Sequence, residues 1–271
     1  MTNEEDQNVQ QRTKSEYDTV YDRWAASPTI QRIWRGPHGA EYPKEIDPTS
    51  FVTIRDLKRM ATEMKIGRGN TFSDLACGRG GPGLWVARET GALLIGIDIS
   101  RTAISHASRK AVDLSLQSRA SFRIGDFTNT GLPSSSLDGA MSVDALWIVP
   151  DKLSALQEAK RILRQGASFV FTTWDCEVAP AAWPPQIKDH RSLLKDVGFK
   201  VTSYEATANW EGIQREIYQK MIKEEDMITS EMGEAAAASL LSEAKLLTGI
   251  TDGTDYLSHI CRILIVAEKS C

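Results

Sequence analysis

The stretch FSDLACGRGGPGLW, residues 72–85, joins a short apolar run to a glycine-rich turn and then to a helix-forming segment. Read literally, Gly78-Arg79-Gly80-Gly81-Pro82-Gly83 satisfies G-x-G-x-x-G, the fingerprint of dinucleotide-binding turns. Asp98 lies twenty residues beyond Gly78, where a ribose would need a carboxylate. That reading makes the chain a nicotinamide-dependent oxidoreductase. Two chemical details oppose it. A pyrophosphate is held by free N–H groups at a helix N-terminus, and Pro82 has none to offer. Asp74, at the end of the apolar run, aims a negative charge where the pyrophosphate would lie. A ligand with an ammonium and a carboxylate but no phosphate suits Asp74 and the closely approaching Gly78 and Gly80 better.

Working outward from this turn, short apolar runs alternate with helical patterns. The expected strands are 71–75, 93–98, 121–124, 137–142, 168–173, 199–204 and 259–267, and helices begin near Gly81, Ser100 and Asp151. In the last of these, Leu153, Leu156, Ile162 and Leu163 share a face. Short apolar strands joined by helices predict a parallel sheet covered on both sides. The expectation is an α/β, doubly wound, seven-stranded and mostly parallel sheet whose last strand runs antiparallel beside 199–204. Upstream, the spacing predicts a short helix over 16–24, a loop through the Pro/Gly-containing stretch that follows, and a helix from Asp47-Pro48 to about Met64. A helix over 186–197 precedes the sixth strand. Residues 210–247 break the alternation with a helical insertion rich in Ala, Glu, Lys and Met. Residues 1–50 and about 208–256 are expected to cover the strand C-termini as a helical cap and lid, on a core of residues 51–271.

The segment D-L-A-C-G-R-G resembles the first motif of class I S-adenosylmethionine (SAM)-dependent methyltransferases, usually D-x-G-C-G-x-G, with Ala76 in place of the first glycine. Alanine there fits a backbone that need not adopt a positive φ. Gly96–Ser100 (GIDIS) resembles the second motif, and Gly125-Asp126-Phe127 the adenine clamp. Leu132-Pro133, Leu137-Asp138 and Leu163-Arg164-Gln165-Gly166 are similar to the family's turns around its fourth and fifth strands. The resemblance implies SAM as cofactor and S-adenosylhomocysteine (SAH) as product. The cofactor-binding residues it implies are Asp74, Ala76, Gly78, Gly80, Asp98, Ile99, Asp126, Phe127 and Ser142. Successive acids at strand C-termini agree, because ligands of open α/β sheets sit there.

On the acceptor side, Met141–Lys152 is similar to the sterol, tocopherol and quinone-type branch, with Asp144 for its glutamate and Ile148 where a histidine commonly sits. Trp34–Gly39 resembles an H-x-G loop near the methyl donor. Asp144 and His38 are therefore the expected bases. Trp34, Trp147, Trp174 and His190 are the expected acceptor contacts, the tryptophans because aromatic walls surround a sulfonium and stack on apolar substrates. No metal-binding pattern follows the fourth strand, and metal-independent transfer to a small apolar or aromatic metabolite is expected. A SAM-fold cyclase or binding protein without methyl transfer is the other reading, favoured by Ile148.

The 271 residues suffice for one large domain, and the net charge of -4 supplies no field to gather a polyanion, so nucleic acid is not an expected partner. Apolar runs such as 93–99 are too short to span a bilayer, and the acidic, polar start is unlike a signal or transit peptide. Four scattered cysteines form no C-x-x-C pair. A cytoplasmic enzyme with no membrane partner is expected, and self-association through 210–247 is the competing role for that insertion.

Overall fold

A computed structural model describes Ser15 and residues 18–270. The polar stretch 1–13 and the first residues of the helix expected over 16–24 lie outside the described residues; 18–23 are helical. Seven strands form one sheet: β1 (Thr71–Leu75), β2 (Leu93–Asp98), β3 (Ala120–Ile124), β4 (Leu137–Val143), β5 (Leu163–Cys176), β6 (Phe199–Ala206) and β7 (Ile260–Lys269). Their order is β3-β2-β1-β4-β5-β7-β6. β1 to β5 pair in parallel, and β7 runs antiparallel between β5 and β6. The doubly wound sheet with an antiparallel last strand is thus present. The order reverses at β1, so the first two crossovers run one way and the later ones the other, opening a crevice at the strand C-termini.

Strand periodicity explains the two covered faces. Along β7, Leu264 and Val266 join Phe72 and Val170 on one side, while Ile263, Ile265 and Ala267 join Phe169 and Phe171 on the other. Against the first side lie Ile54–Glu63 (α2) and Gly81–Thr90 (α3), with Arg101–Asp113 (α4) beside them. Lys152–Ile162 (α5) and His190–Val197 (α6) cover the second. α5 buries Ala155, Leu156, Ala159 and Ile162, but Leu153, expected on that face, is 45% exposed.

Two upstream expectations are corrected. Residues 28–38 are not a loop but a helix, α1 (Pro28–His38), whose N-cap Ser27 accepts from the Ile30 N–H. Pro28 sits in the first turn, where its missing N–H costs nothing, and Ile30, Ile33 and Trp34 form a buried stripe. α2 begins at Ile54, capped by a Thr53–Asp56 capping box, and not at Asp47-Pro48. Asp47 instead accepts from Tyr42 Oη (2.6 Å), Arg35 Nη2 (3.1 Å) and Trp24 Nε1 (3.2 Å), which folds the upstream segment onto itself.

The insertion forms Trp210–Lys223 (α7), Glu225–Met232 (α8) and Glu234–Leu247 (α9). These helices share a third apolar core with α1 and with Phe51 and Trp174, and Glu231 of α8 accepts from Ser27 Oγ, Thr29 N and Thr29 Oγ1. The helical cap therefore draws on both ends of the chain. No helix among the described residues is long and apolar enough to cross a membrane.

Candidate active site

A single cavity runs along the C-terminal ends of the strands beneath the cap. Its first half is built by β1, β2 and β3 and the turns that follow them: Asp74, Ala76–Arg79, Asp98–Ser100 and Gly125–Phe127. Cap residues Val20, Tyr21 and Trp24 lie over this half. The other half is walled by Trp34, Phe51, Trp147, Trp174 and Trp183, with Gln214, Leu240, Glu243 and Leu247 from the insertion. Trp147 stands edge-on to Trp174 at 6.1 Å and tilted over Trp183 at 4.5 Å.

The glycine turn is set by backbone conformations that L side chains resist. Gly78 and Gly80 have φ of 52° and 75°. Gly80 is a packing residue and not a cavity contact: a Cβ there would lie 2.7 Å from the Ala107 Cβ. Ala76 corrects the expectation about its own backbone, for its φ is 56°. The left-handed region costs an L residue roughly 1–2 kcal/mol, part of which returns as the greater freedom of glycine in the unfolded chain. Ala76→Gly is therefore expected to stabilise the protein by about 0.5–1 kcal/mol, seen as a higher thermal midpoint; a lower midpoint would contradict this account.

Three acids stand at successive strand ends. Asp98 Oδ2 accepts from Gly78 N (2.8 Å) and Oδ1 from Ser100 N (2.9 Å), which ties the second strand's acid to the glycine turn. Asp126 Oδ1 accepts from Thr128 N and Oγ1, and Phe127 is buried edge-on against Phe169. Asp74 Oδ2 accepts from Gly83 N at 3.0 Å, whereas its Oδ1 is buried with no partner. Burial, with the charge of Asp98 as a lesser contributor, pushes the Asp74 carboxyl up to about 8, and burial pushes Asp98 up to about 6. Facing the same half, Arg79 has buried Nε and Nη1 atoms without partners and lies 5.9 Å from the Trp24 ring centroid. An orphaned acceptor and orphaned donors in one cavity call for a ligand bearing both an ammonium and a carboxylate.

Comparison with known proteins agrees. The family model described as a methyltransferase domain matches residues 73–171. Methyltransferase GfsG of Streptomyces halstedii is 28% identical over 46% of this chain and 45% of its own length. The chain thus aligns with less than half of that relative. The 27-O-demethylrifamycin SV methyltransferase of Amycolatopsis mediterranei is 24% identical over 75% of each chain. In fold, the solved [4+2]-cyclase SpnF superposes with a TM-score of 0.75 over 96% of both chains at 19% identity. Residues 73–171 carry a methyltransferase domain, and the chain resembles the class I SAM-dependent methyltransferases.

SAM, the cofactor of this family, fits the first half of the cavity. The unpartnered Asp74 Oδ1 suits its ammonium, Arg79 its carboxylate, Asp98 its ribose hydroxyls, and Asp126, Phe127 and Ile99 the adenine side. Arg79 escaped the sequence reading because it occupies the variable position between two glycines. A bound ammonium favours the ionised Asp74, so binding below about pH 8 must expel its proton. Affinity for SAH is accordingly expected to rise as pH goes from about 6 to 8, by up to roughly tenfold per unit. Calorimetry in buffers of different ionisation heat should count the released proton, and Asp74→Asn should abolish it. For the free protein the sign is reversed: the raised Asp74 contributes stability that is full below the ordinary value of 3.8 and lost as pH rises through about 8.

Three further expected site residues lie outside the cavity, and a fourth lines it with both carboxylate oxygens engaged. Ser142 Oγ donates to the Leu75 carbonyl at 2.8 Å, stitching β4 to β1 outside the cavity. His190 Nδ1 bonds Asp175 Oδ1 at 2.8 Å, and Tyr204 Oη donates to the same carboxylate, so this histidine anchors α6 to β5 and β6. His38 lies at the end of α1 and lines no part of the cavity. Its Nδ1 must be the protonated nitrogen, since the Trp34 carbonyl at 2.8 Å can only accept, and burial lowers its pKa. Asp144 touches the cavity, but neither oxygen is spare: Oδ1 accepts from Arg262 Nε and Thr172 Oγ1, and Oδ2 from Arg262 Nη2 and Phe51 N. Trp34, Trp147 and Trp174 do line the cavity.

Proposed function

We propose that this protein transfers the methyl group of SAM to a small, largely apolar or aromatic metabolite, by positioning and desolvation and without a metal. The observation that carries this reading is the continuity of the cavity, from Asp74 and Asp98 at one end to the wall of Trp34, Trp147, Trp174 and Trp183 at the other. A sulfonium is already a good leaving group, so holding the acceptor in line and excluding water supply most of the acceleration. The relative named as a 27-O-demethylrifamycin SV methyltransferase supports a small-molecule acceptor. Helices α7 and α9 supply one wall of the cavity, and we assign the insertion that carries them the role of a lid that closes over it.

The test is incubation of the protein with methyl-labelled SAM and a metabolite extract, beside calorimetry with SAM, SAH and NAD. The reading requires heat from SAH and a labelled product formed with SAH in equal amount. Heat from NAD and none from SAH would overturn it in favour of the oxidoreductase. A second reading, a cyclase that keeps its cofactor unspent, is favoured by the full-length likeness to the fold of a [4+2]-cyclase. It requires SAH binding without any labelled product.

A further inference from the structure

The acceptor half of the cavity is walled largely by aromatic side chains, and the insertion brings polar side chains to it. There α7 brings Gln214 and α9 brings Glu243, and the buried Tyr218 of α7 joins the two. The three form a directed chain: Gln214 Nε2 donates to Tyr218 Oη at 2.9 Å, and Tyr218 Oη donates to Glu243 Oε1 at 2.5 Å. Because the tyrosine proton is committed to the carboxylate, its oxygen needs a donor, which fixes the amide orientation of Gln214. What the chain leaves over includes unfilled acceptors. Gln214 Oε1 is buried with no partner, and the Glu243 carboxylate keeps lone pairs beyond the one Tyr218 fills. A cluster with unfilled acceptors beside the cavity can receive a donor from it.

We propose that Glu243, held by Tyr218 and Gln214, receives the hydroxyl group of the acceptor and takes its proton during methyl transfer. The inference rests on the methyltransferase reading and narrows it to oxygen as the methylated atom. In the step, a lone pair of the hydroxyl oxygen forms the new O–CH3 bond and the S–CH3 bond breaks with its electrons on sulfur, giving neutral SAH. The O–H bond breaks with its electrons on oxygen, and the proton passes to the Glu243 carboxylate, making it neutral. Charge and atoms balance with no further reactant. A hydroxyl fits better than an ammonium, because the indole N–H of Trp174, on the wall of the same cavity, is also buried without a partner and needs an acceptor. A hydroxyl oxygen can accept there while its proton goes to Glu243. Burial raises the Glu243 pKa, which moves its basicity toward that needed near neutral pH. Asp144, the other carboxylate on this half, is committed to Arg262.

The experiment uses the full chain, its SAH complex, and the probe pair 2-naphthol and 2-methoxynaphthalene, which differ by the donor proton and its replacement. The wild type is expected to bind 2-naphthol at least about tenfold more tightly than the ether, and Glu243→Gln to bring the two within about threefold. SAH affinity should stay within about twofold of wild type in the variant, which also reports that it has folded. In the labelled-methyl assay, Glu243→Gln should form product at no more than about a hundredth of the wild-type rate, the scale of a lost general base. Tyr218→Phe, which keeps the ring and drops the hydroxyl, should lower the rate in the same direction. No hydroxyl preference in the wild type, or a preference or rate that survives in Glu243→Gln, would overturn the proposal. Failure of the wild type to bind SAH or to form any product would instead sink the methyltransferase reading beneath it.

Discussion

Arg262→Met is expected to lower the stability of the protein by about 3–5 kcal/mol, the cost of stripping one partner from a buried ion pair. Arg262 stands in β7 with 1% of its surface exposed. Its Nε and Nη2 bond the two oxygens of Asp144 at 2.9 and 3.2 Å, and its Nη1 bonds Asp56 Oδ2 at 2.9 Å and Thr207 Oγ1 at 3.1 Å. One guanidinium therefore bridges two buried carboxylates from earlier in the chain. Methionine would fill much of the volume but leave both acids without a cation in a place where water cannot replace it. Urea unfolding should show a lower midpoint with an unchanged slope, and Asp144→Leu added to Arg262→Met should recover part of the loss. A loss below about 1 kcal/mol would mean that the cluster is wetter than its burial indicates. The effect should reach the acceptor site as well. Asp144 Oδ2 holds the Phe51 N–H at 3.0 Å, and Phe51 stacks on Trp34 at 5.2 Å and meets Trp174 edge-on.

The second large effect is expected at the cofactor. Asp98→Ala should weaken SAH binding by about 1.5–3 kcal/mol, as for loss of a charge-assisted hydrogen bond. Asp98 is 8% exposed and its two oxygens already accept from Gly78 N and Ser100 N, with lone pairs left for the ribose hydroxyls. The variant loses the ribose contact and also frees two N–H groups that shape the glycine turn. Calorimetric titration with SAH measures the change directly. An affinity within threefold of wild type would place the ribose elsewhere in the cavity.

Much of this site was legible in the chain because its signals are local. Strand alternation depends on the two-residue period, and the acids Asp74, Asp98 and Asp126 stand at or just beyond the ends of their strands with a turn or helix next in sequence. Nothing distant is needed to read such a unit. Boundaries were legible where capping chemistry was unambiguous, as at Ser100 and Asp151, whose side chains accept from Ala103 N and Ser154 N. They were misread where one residue type serves two ends: Asp47-Pro48 has the composition of a helix start, yet Asp47 is claimed by Trp24, Arg35 and Tyr42. α1 was hidden by Pro28, Gly36 and Pro37, which punctuate a helix interior but are tolerated in its first and last turns.

By itself, then, the sequence determined the sheet, its glycine turn and the acids at the strand ends, and it pointed to the tryptophans that line the cavity. Only the tertiary structure decided which polar side chains stay free. A carboxylate or imidazole reads the same in sequence whether its partner is solvent, a guanidinium 118 residues away as for Asp144, or a carbonyl one turn back as for His38. Glu243 shows the converse. In an alanine-rich helix it looks like one more solvated acid, although its spacing from Leu240 and Leu247 puts it on the stripe that faces the cavity. Period can say which face a residue occupies. What that face meets depends on the folding of α7, α9 and the Phe51 segment onto one another, and so does the fate of a proton there.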